Sequence, residues 1–221
     1  MPIVFRKQEN DEANEPLQEQ KQALYRYWKR NRLITEGSVL EAFISVPREL
    51  FVQPSLLDQA YADHPLPIGV GQTISQPTTV MLMLQLLEIE LGNSILEIGT
   101  GSGYNAALLA YFGGRVVTVE RHEKLAKLAR DNLSKAGLKN VWVIVTDGKK
   151  GYRELAPYDR IIVTAASSKL PQHLKEQLAI GGILVAPVGP THGCEMLRIE
   201  KTAEGKFETS SHGLFSFVPL V

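Results

Sequence analysis

Residues 95–110 constrain the fold of this chain more than any other stretch. They read Ile-Leu-Glu-Ile-Gly-Thr-Gly-Ser-Gly-Tyr-Asn-Ala-Ala-Leu-Leu-Ala, an apolar run, three alternating glycines and a second apolar run with helical spacing. Gly99, Gly101 and Gly103 allow the backbone to bend sharply and to approach a ligand closely. The stretch therefore predicts a strand, a ligand-binding turn and a helix.

The segments after this turn alternate between strand and helix patterns. Strands are predicted over 115–119, 141–145, 160–164 and 183–187, with helices over 122–136 and 171–178 that end near Gly137 and Gly181-Gly182. Two further segments, 195–201 and 213–220, have no helix between them and should add antiparallel strands at one edge. The pattern predicts an α/β fold with a doubly wound, Rossmann-like, mostly parallel sheet of seven strands.

The chain before the turn is interpreted in parts that belong to one structural unit. Residues 1–15 have few groups to bury and are expected to be a mobile tail. Residues 16–77 should form N-terminal helices, one opened by a capping box at 38–41, and then an ordered, ligand-contacting loop over 51–77. A helix is predicted over 78–91, and residues 78–221 should form the main domain.

The composition argues against several classes of partner. The 24 Lys and Arg residues equal the 24 Asp and Glu residues, so we expect no nucleic-acid partner. Cys194 is the only cysteine, which excludes an internal disulfide and a Cys-based zinc site, and the histidines show no metal-ligand spacing. No apolar run reaches membrane-spanning length. These features predict a cytoplasmic protein with no metal and no membrane partner. A monomer is expected, although none of these features determines the oligomeric state.

Three acidic residues near successive strand ends narrow the choice of ligand. Glu97 lies in the strand before the turn, Glu120 ends the next strand, and Asp147 follows the one after. Glu120 could accept both ribose hydroxyls of either NAD or an adenosyl cofactor. Glu97 could meet the ammonium of a methionyl tail, directly or through water, and Asp147 could hold an adenine amino group. Because Tyr104 replaces the third glycine of a dinucleotide fingerprint, the pattern favours S-adenosylmethionine, a cationic sulfonium, over a pyrophosphate.

Longer motifs in the chain resemble the protein-L-isoaspartate O-methyltransferase family. The most specific is Gln72-Thr-Ile-Ser75, followed one residue later by Pro77. The similarity extends over the glycine turn and over residues 46–52, 61–69, 147–148, 156–165, 181–182, 187–189 and 217–220. The resemblance implies a class I S-adenosylmethionine-dependent methyltransferase, with residues 78–221 as the methyltransferase domain.

The resemblance also implies the reaction. The methyl group of S-adenosylmethionine would pass to the free α-carboxylate of L-isoaspartyl residues in damaged proteins and peptides, leaving S-adenosylhomocysteine. The methyl ester would then close to a succinimide, which begins repair. Isoaspartyl proteins and peptides are thus the implied partners.

Site residues follow from the same resemblance. Ser75 is the expected catalytic residue, whose hydroxyl would orient a carboxylate that is already nucleophilic at neutral pH and needs no general base. His64, Pro65, Leu66 and Val218 are expected to join it at the substrate. The expected cofactor contacts are Gln72, Thr73, Ile74, Glu97, Gly99, Thr100, Gly101, Ser102, Asn105, Glu120, Arg121, Asp147 and Gly148.

Two departures from the family pattern keep other interpretations open. Thr78-Thr79 follows Pro77 where many members have His-Met, and the chain reaches Val221 directly after Val-Pro-Leu, where relatives usually continue. Contacts to the acceptor are therefore expected to differ. The alternatives are a methyltransferase of the same fold with another acceptor, a non-catalytic cofactor-binding module and, least favoured, a nucleotide-dependent oxidoreductase.

Overall fold

The computed structural model describes residues 15–220. Of the tail predicted over residues 1–15, residues 1–14 lie outside the described residues, and Glu15 belongs to the first helix. The N-terminal elements are α1 (Glu15–Arg30), α2 (Gly37–Ser45), 3-10 helices at Arg48–Phe51 and Pro54–Gln59, β1 (Leu66–Gly69), β2 (Gln72–Ile74) and α3 (Pro77–Leu87). Within this range, no helix is both long and apolar enough to cross a membrane.

A seven-stranded sheet forms the centre of the molecule. Its elements are β3 (Ile95–Ile98), α4 (Tyr104–Ala110), β4 (Val116–Glu120), α5 (Glu123–Lys135), β5 (Val141–Val145), β6 (Tyr158–Val163), α6 (Gln172–Glu176), β7 (Leu178–Val188), β8 (His192–Ala203) and β9 (Lys206–Ser216). Two short 3-10 helices, Gly148–Lys150 and Arg153–Leu155, lie between β5 and β6. The strand order is β5-β4-β3-β6-β7-β8-β9, parallel as far as β7 and antiparallel beyond it. The predicted fold class is confirmed.

The topology places a crevice beside β3. The chain runs outward through β3, β4 and β5, and then returns to β6 on the other side of β3. Connections that leave two neighbouring parallel strands in opposite directions open a crevice at their carboxyl ends, where α/β proteins bind ligands. All residues of β3 and β4 are buried, as expected for strands covered on both faces.

In the N-terminal half, tertiary contacts give several elements boundaries that differ from the predicted ones. The loop predicted over 51–77 contains the β1–β2 hairpin, which pairs Leu66 with Ile74. The capping box at 38–41 was wrong because α2 begins at Gly37, and the amides of Thr35 and Glu36 instead donate to the Gln85 side chain at 2.7 and 3.2 Å. The helix predicted to reach residue 91 ends at Leu87.

The C-terminal half also departs from the prediction at two points. Gly181 and Gly182 do not stop a helix but lie inside β7, where a side chain on Gly182 would meet the backbone oxygens of Ala179 and Asp159. The last predicted strand ends at Ser216. Beyond it the backbone of 218–220 bonds to Ala166, with Ala166 N donating to Val218 O at 2.8 Å, so this segment bends back over the end of β6.

Candidate active site

The glycine turn between β3 and α4 has the backbone conformation that the sequence predicts. Gly99, Gly101 and Gly103 have φ angles of 98°, 55° and 89°, in the region that favours glycine. A Cβ on Gly99 would also overlap the Thr164 hydroxyl, and this hydroxyl donates to the Gly99 carbonyl at 2.8 Å. Substitution at Gly99 would therefore strain the turn and displace the end of β6.

A cavity opens over this turn, at the carboxyl ends of β3, β4 and β6. The predicted cofactor residues on its wall are Gln72, Thr73, Ile74, Gly99, Thr100, Gly101, Ser102, Asn105, Glu120, Arg121 and Gly148. The structure thus brings most of the predicted set together around one space.

Glu120 lies on the cavity wall and is held rigidly. One carboxylate oxygen accepts from the Gly101 amide at 3.0 Å, and the other accepts from the His122 amide at 2.9 Å. The side chain is only 6% exposed. Since a carboxylate has about four acceptor positions, both oxygens keep capacity for ligand hydroxyls.

Glu97 lies behind the cavity wall rather than on it. Its carboxylate is fully buried and accepts from Asn105 Nδ2 at 2.8 Å and from Thr118 Oγ1 at 2.5 Å. Burial raises the pKa of Glu97 to about 7, and the two hydrogen bonds partly oppose that shift. Of this group Asn105 reaches the cavity, so a ligand would meet Glu97 through Asn105.

Asp147 is likewise outside the cavity lining. Its side chain accepts from the Lys149 amide at 3.0 Å and caps the 3-10 helix Gly148–Lys150. The following residue, Gly148, does line the cavity. The adenine contact predicted for Asp147 remains a prediction, and the structure shows a local turn-capping bond at that residue.

Three buried polar atoms at the cavity wall lack protein partners. Tyr104 Oη, Asn105 Oδ1 and His122 Nε2 are inaccessible and form no hydrogen bond within the described part of the chain. Buried polar atoms are rarely left in that state. Asn105 and His122 line the cavity, so a polar ligand there is a source of partners for them, whereas Tyr104 Oη lies beside the buried Arg48 guanidinium.

Ser75 follows β2 and lines the same cavity. The N-cap of α3 is Gln76, and the amide of Thr78 in the first turn donates to Asp63 instead, at 2.9 Å. The Ser75 hydroxyl forms no hydrogen bond to another residue in the range 15–220. The hydroxyl is therefore available to a ligand rather than committed to capping a helix.

A groove adjoins the cavity. Thr73, Ser75, Val218 and Pro219 line both spaces. Ser75 and Val218, two residues predicted at the substrate, thus lie where the two spaces meet.

Of the other predicted substrate residues, one lines the groove and two do not. Pro65 lines the groove. His64 is exposed, with Nδ1 3.1 Å from the Pro65 carbonyl, and Leu66 is buried in the core. Neither His64 nor Leu66 belongs to the groove wall.

Thr78, one of the departures from the family pattern, has a structural role. Its hydroxyl accepts from Trp28 Nε1 at 2.7 Å and donates to Asp63 Oδ2 at 2.7 Å. It therefore ties α1 and the loop before β1 to the start of α3. Thr79 lines the groove, and its hydroxyl donates to Gln76 Oε1 at 3.2 Å.

Several cavity residues are not among the site residues that the sequence predicts. They are Val80, Met83, Ile98, Tyr104, Val119, His122, Leu125, Thr164, Ala165, Pro219 and Leu220. Most are apolar residues whose position depends on how the strands are arranged. In the part of the chain that the structure describes, no three His, Cys, Asp or Glu residues are grouped so as to hold a metal ion.

Comparison with known proteins gives a consistent result. Residues 19–221 match the family model described as protein-L-isoaspartate(D-aspartate) O-methyltransferase. The chain is 48% identical over 207 residues to the protein-L-isoaspartate O-methyltransferase of Methanoculleus marisnigri, covering 94% of each chain. It is 50% identical over 192 residues to the protein of the same name from Methanopyrus kandleri, covering 85% of each.

The fold also matches solved structures. One is a Plasmodium falciparum protein described as a protein-L-isoaspartate O-methyltransferase, crystallised in complex with S-adenosyl-L-homocysteine. The TM-score is 0.79 at 24% sequence identity, covering 90% of this chain and 97% of that chain.

Proposed function

The chain belongs to the protein-L-isoaspartate(D-aspartate) O-methyltransferase family, and from that membership we propose that it methylates the free α-carboxylate of L-isoaspartyl residues in damaged proteins and peptides. The observation that carries this proposal is the position of Ser75 on the shared wall of the cavity and the groove. A methyl donor in the first space and a peptide carboxylate in the second would meet at this residue.

The chemistry of the cavity fits S-adenosylmethionine. Its lining offers Glu120 to ribose hydroxyls, the Asn105 side-chain oxygen to an ammonium group, and apolar side chains such as Val119 and Leu125 to a purine. When bound, this cofactor supplies a methyl group on a positively charged sulfur, and the transfer leaves S-adenosylhomocysteine. Among the described cavity residues, Arg121 is the only arginine or lysine, and it is exposed. The described cavity lining therefore lacks a buried cation that would bind the phosphates of a dinucleotide.

On the acceptor side, the protein has to orient the substrate carboxylate and does not have to activate it. A carboxylate is ionised at neutral pH, so its oxygen attacks without giving up a proton. Ser75 donates a hydrogen bond to one carboxylate oxygen and leaves the other free to react, while Pro65 and Val218 contact the peptide. Exclusion of water and alignment of the two reactants provide the rate increase.

The groove suits an extended peptide of little charge. His192 is the only ionisable side chain on its described lining, and the other lining residues are apolar or hydroxyl-bearing, apart from the amide of Gln76. After methylation, the ester closes to a succinimide without further help from the protein, and hydrolysis returns some normal aspartate.

The test compares two peptides of identical sequence that contain either isoaspartate or aspartate, each incubated with the protein and methyl-labelled S-adenosylmethionine. Base-labile label on the isoaspartyl peptide alone is the expected result. Label on both peptides, or on neither, would reject the proposal. A base-stable product on another acceptor would favour a methyltransferase with a different substrate.

Cofactor affinity should depend on pH through Glu97. In the free protein the pKa of Glu97 is raised to about 7, and an ammonium group held at Asn105 would favour the ionised carboxylate and lower that pKa. Affinity should therefore rise with pH up to about 7 and then level off, with a proton released on binding below that value.

The measurement is calorimetric titration with S-adenosylhomocysteine between about pH 5.5 and 8, in two buffers of different ionisation enthalpy. Glu97→Gln should bind more weakly and lose the pH dependence, whereas Glu123→Gln, at an exposed position in α5, should behave as the unmodified protein. A pH-independent affinity in the unmodified protein would refute the role of Glu97.

Assembly and location form the remaining part of the proposal. The protein is proposed to act as a monomer, and equal numbers of basic and acidic residues support the absence of a nucleic-acid partner. The single cysteine, Cys194, is buried and supports a reducing, cytoplasmic location. Light scattering at several concentrations tests the monomer, and cell fractionation tests the location.

A further inference from the structure

The buried guanidinium of Arg48 connects three separate segments of the chain. Arg48 lies in the 3-10 helix after α2 and is 0% exposed. Its Nε donates to the Ala60 carbonyl at 2.7 Å, and its Nη2 donates to the Ser75 carbonyl at 2.8 Å. A planar, forked side chain can hold two acceptors at fixed relative positions. Arg48 thus holds the backbone of Ser75 from behind the cavity wall.

The position of this charge is costly, which suggests that it serves a purpose other than stability. Burial lowers the pKa of the Arg48 guanidinium, and no Asp or Glu of residues 15–220 forms an ion pair with it within 4.0 Å. Taking a charged group out of water is costly unless it is paired and hydrogen-bonded. The bond from Arg48 to the Ser75 carbonyl links this buried charge to the proposed acceptor site.

Arg48 also contacts the wall of the cofactor cavity. Its Cζ lies 4.8 Å from the centre of the Tyr104 ring, in a cation–π arrangement. Tyr104 lines the cavity and is the first residue of α4, directly after the glycine turn. Arg48 is therefore packed against one cofactor wall while it bonds to the backbone of the residue expected to hold the acceptor.

The segment that carries Arg48 is itself anchored. The backbone amide of Arg48 donates to Tyr61 Oη at 3.2 Å, and that hydroxyl donates to Glu49 Oε2 at 2.5 Å. Tyr61 directly follows Ala60, whose carbonyl accepts from the Arg48 side chain. These bonds fix the guanidinium relative to the loop before β1.

We propose that Arg48 is a positioning residue that fixes Ser75 relative to the cofactor cavity, because its guanidinium bonds to the Ser75 carbonyl while it packs on Tyr104. This inference rests on the proposed function, because it assigns Ser75 to the acceptor carboxylate. Arg48 acts through Ser75 and does not touch the reacting groups.

The test uses Arg48→Lys and Arg48→Met, since lysine keeps the charge but not the fork, and methionine removes both. A matched control is Arg160→Met, because Arg160 is also buried and donates twice to a backbone carbonyl, that of Glu88, in the loop after α3. We expect kcat on the isoaspartyl peptide to fall about tenfold in both Arg48 variants, since misplacement of a reactant by a fraction of an ångström is enough. Binding of S-adenosylhomocysteine should stay within about twofold.

Two further readouts separate positioning from general loss of structure. When Arg48→Lys is added to Ser75→Ala, kcat should fall by less than about threefold relative to Ser75→Ala alone, because the two residues act as one unit. Hydrogen–deuterium exchange should rise in residues 71–76 of the Arg48 variants and not in Arg160→Met.

Any one of three results would overturn the inference. They are multiplicative losses of kcat in the double variant, unchanged hydrogen–deuterium exchange in residues 71–76, and an equal loss of kcat in Arg160→Met. If Arg48→Met fails to fold, Arg48→Lys gives the same readouts. An unmodified protein without isoaspartyl activity would reject the proposed function instead, and exchange in residues 71–76 would still decide whether Arg48 holds the Ser75 loop.

Discussion

Ser75→Ala is expected to lower kcat for the isoaspartyl peptide by about 10- to 100-fold, because a hydrogen bond to a charged group contributes about 1.5–3 kcal/mol. The Ser75 hydroxyl has no protein partner among the described residues, so its removal leaves no buried group unpaired. The loss should appear in turnover rather than in cofactor binding. Single-turnover kinetics with saturating cofactor, together with calorimetric binding of S-adenosylhomocysteine, measure the two quantities separately.

Two comparisons strengthen this experiment. Ser75→Thr keeps a hydroxyl on a more restricted side chain and should retain more activity than the alanine variant. Ser38→Ala, at an exposed position in α2, should leave kcat unchanged. Equal turnover of Ser75→Ala and the unmodified protein would remove Ser75 from the acceptor site.

Glu120→Ala is expected to weaken binding of S-adenosylhomocysteine by about 100-fold, since the carboxylate is assigned two charge-assisted bonds to ribose hydroxyls. The same change removes the acceptors of the Gly101 and His122 amides, so the glycine turn also loses its support. At saturating cofactor, kcat should fall much less than affinity. Isothermal titration and cofactor-dependent kinetics measure this difference.

The ribose assignment can be separated from the structural one by changing the ligand. The unmodified protein should bind adenosine more tightly than 2′,3′-dideoxyadenosine, and Glu120→Ala should not distinguish them. Glu120→Gln should lie between, because its amide group replaces one acceptor with a donor facing a backbone amide. Glu123→Gln, a nearby exposed acid, is the control. Discrimination that survives in Glu120→Ala would assign the ribose contact to another residue.

Acidic residues near strand ends were found from sequence with mixed success. In the sequence, Glu97, Glu120 and Asp147 each lie near the end of a strand, yet of these three only Glu120 lines the cavity. Glu97 lies one residue before the end of β3, so its side chain points behind the turn to Asn105 and Thr118. Asp147 caps a 3-10 helix. Side-chain direction at the end of a strand changes with each residue, and sequence spacing does not resolve it.

The N-terminal half shows the same limit. Thr78, a departure from the family pattern, lines the groove, and the structure shows in addition that its hydroxyl lies between Trp28 and Asp63, 50 and 15 residues away in the chain. The β1–β2 hairpin and the contact of Arg48 with Ser75 were not predicted either. Short apolar runs between prolines and glycines carry no clear period, so their structure depends on partners distant in sequence.

Local features of the sequence determined the doubly wound sheet, the glycine turn and the family. Alternating apolar runs and positive-φ glycines act over a few residues, and a motif such as Gln72-Thr-Ile-Ser75 can be recognised without its surroundings. The tertiary structure alone decided that Ser75 lies between a cofactor cavity and a groove, and that a buried arginine holds its carbonyl. These relations join segments such as 48, 75, 104 and 218, and distances between them arise only when the strands, loops and C-terminal segment pack together.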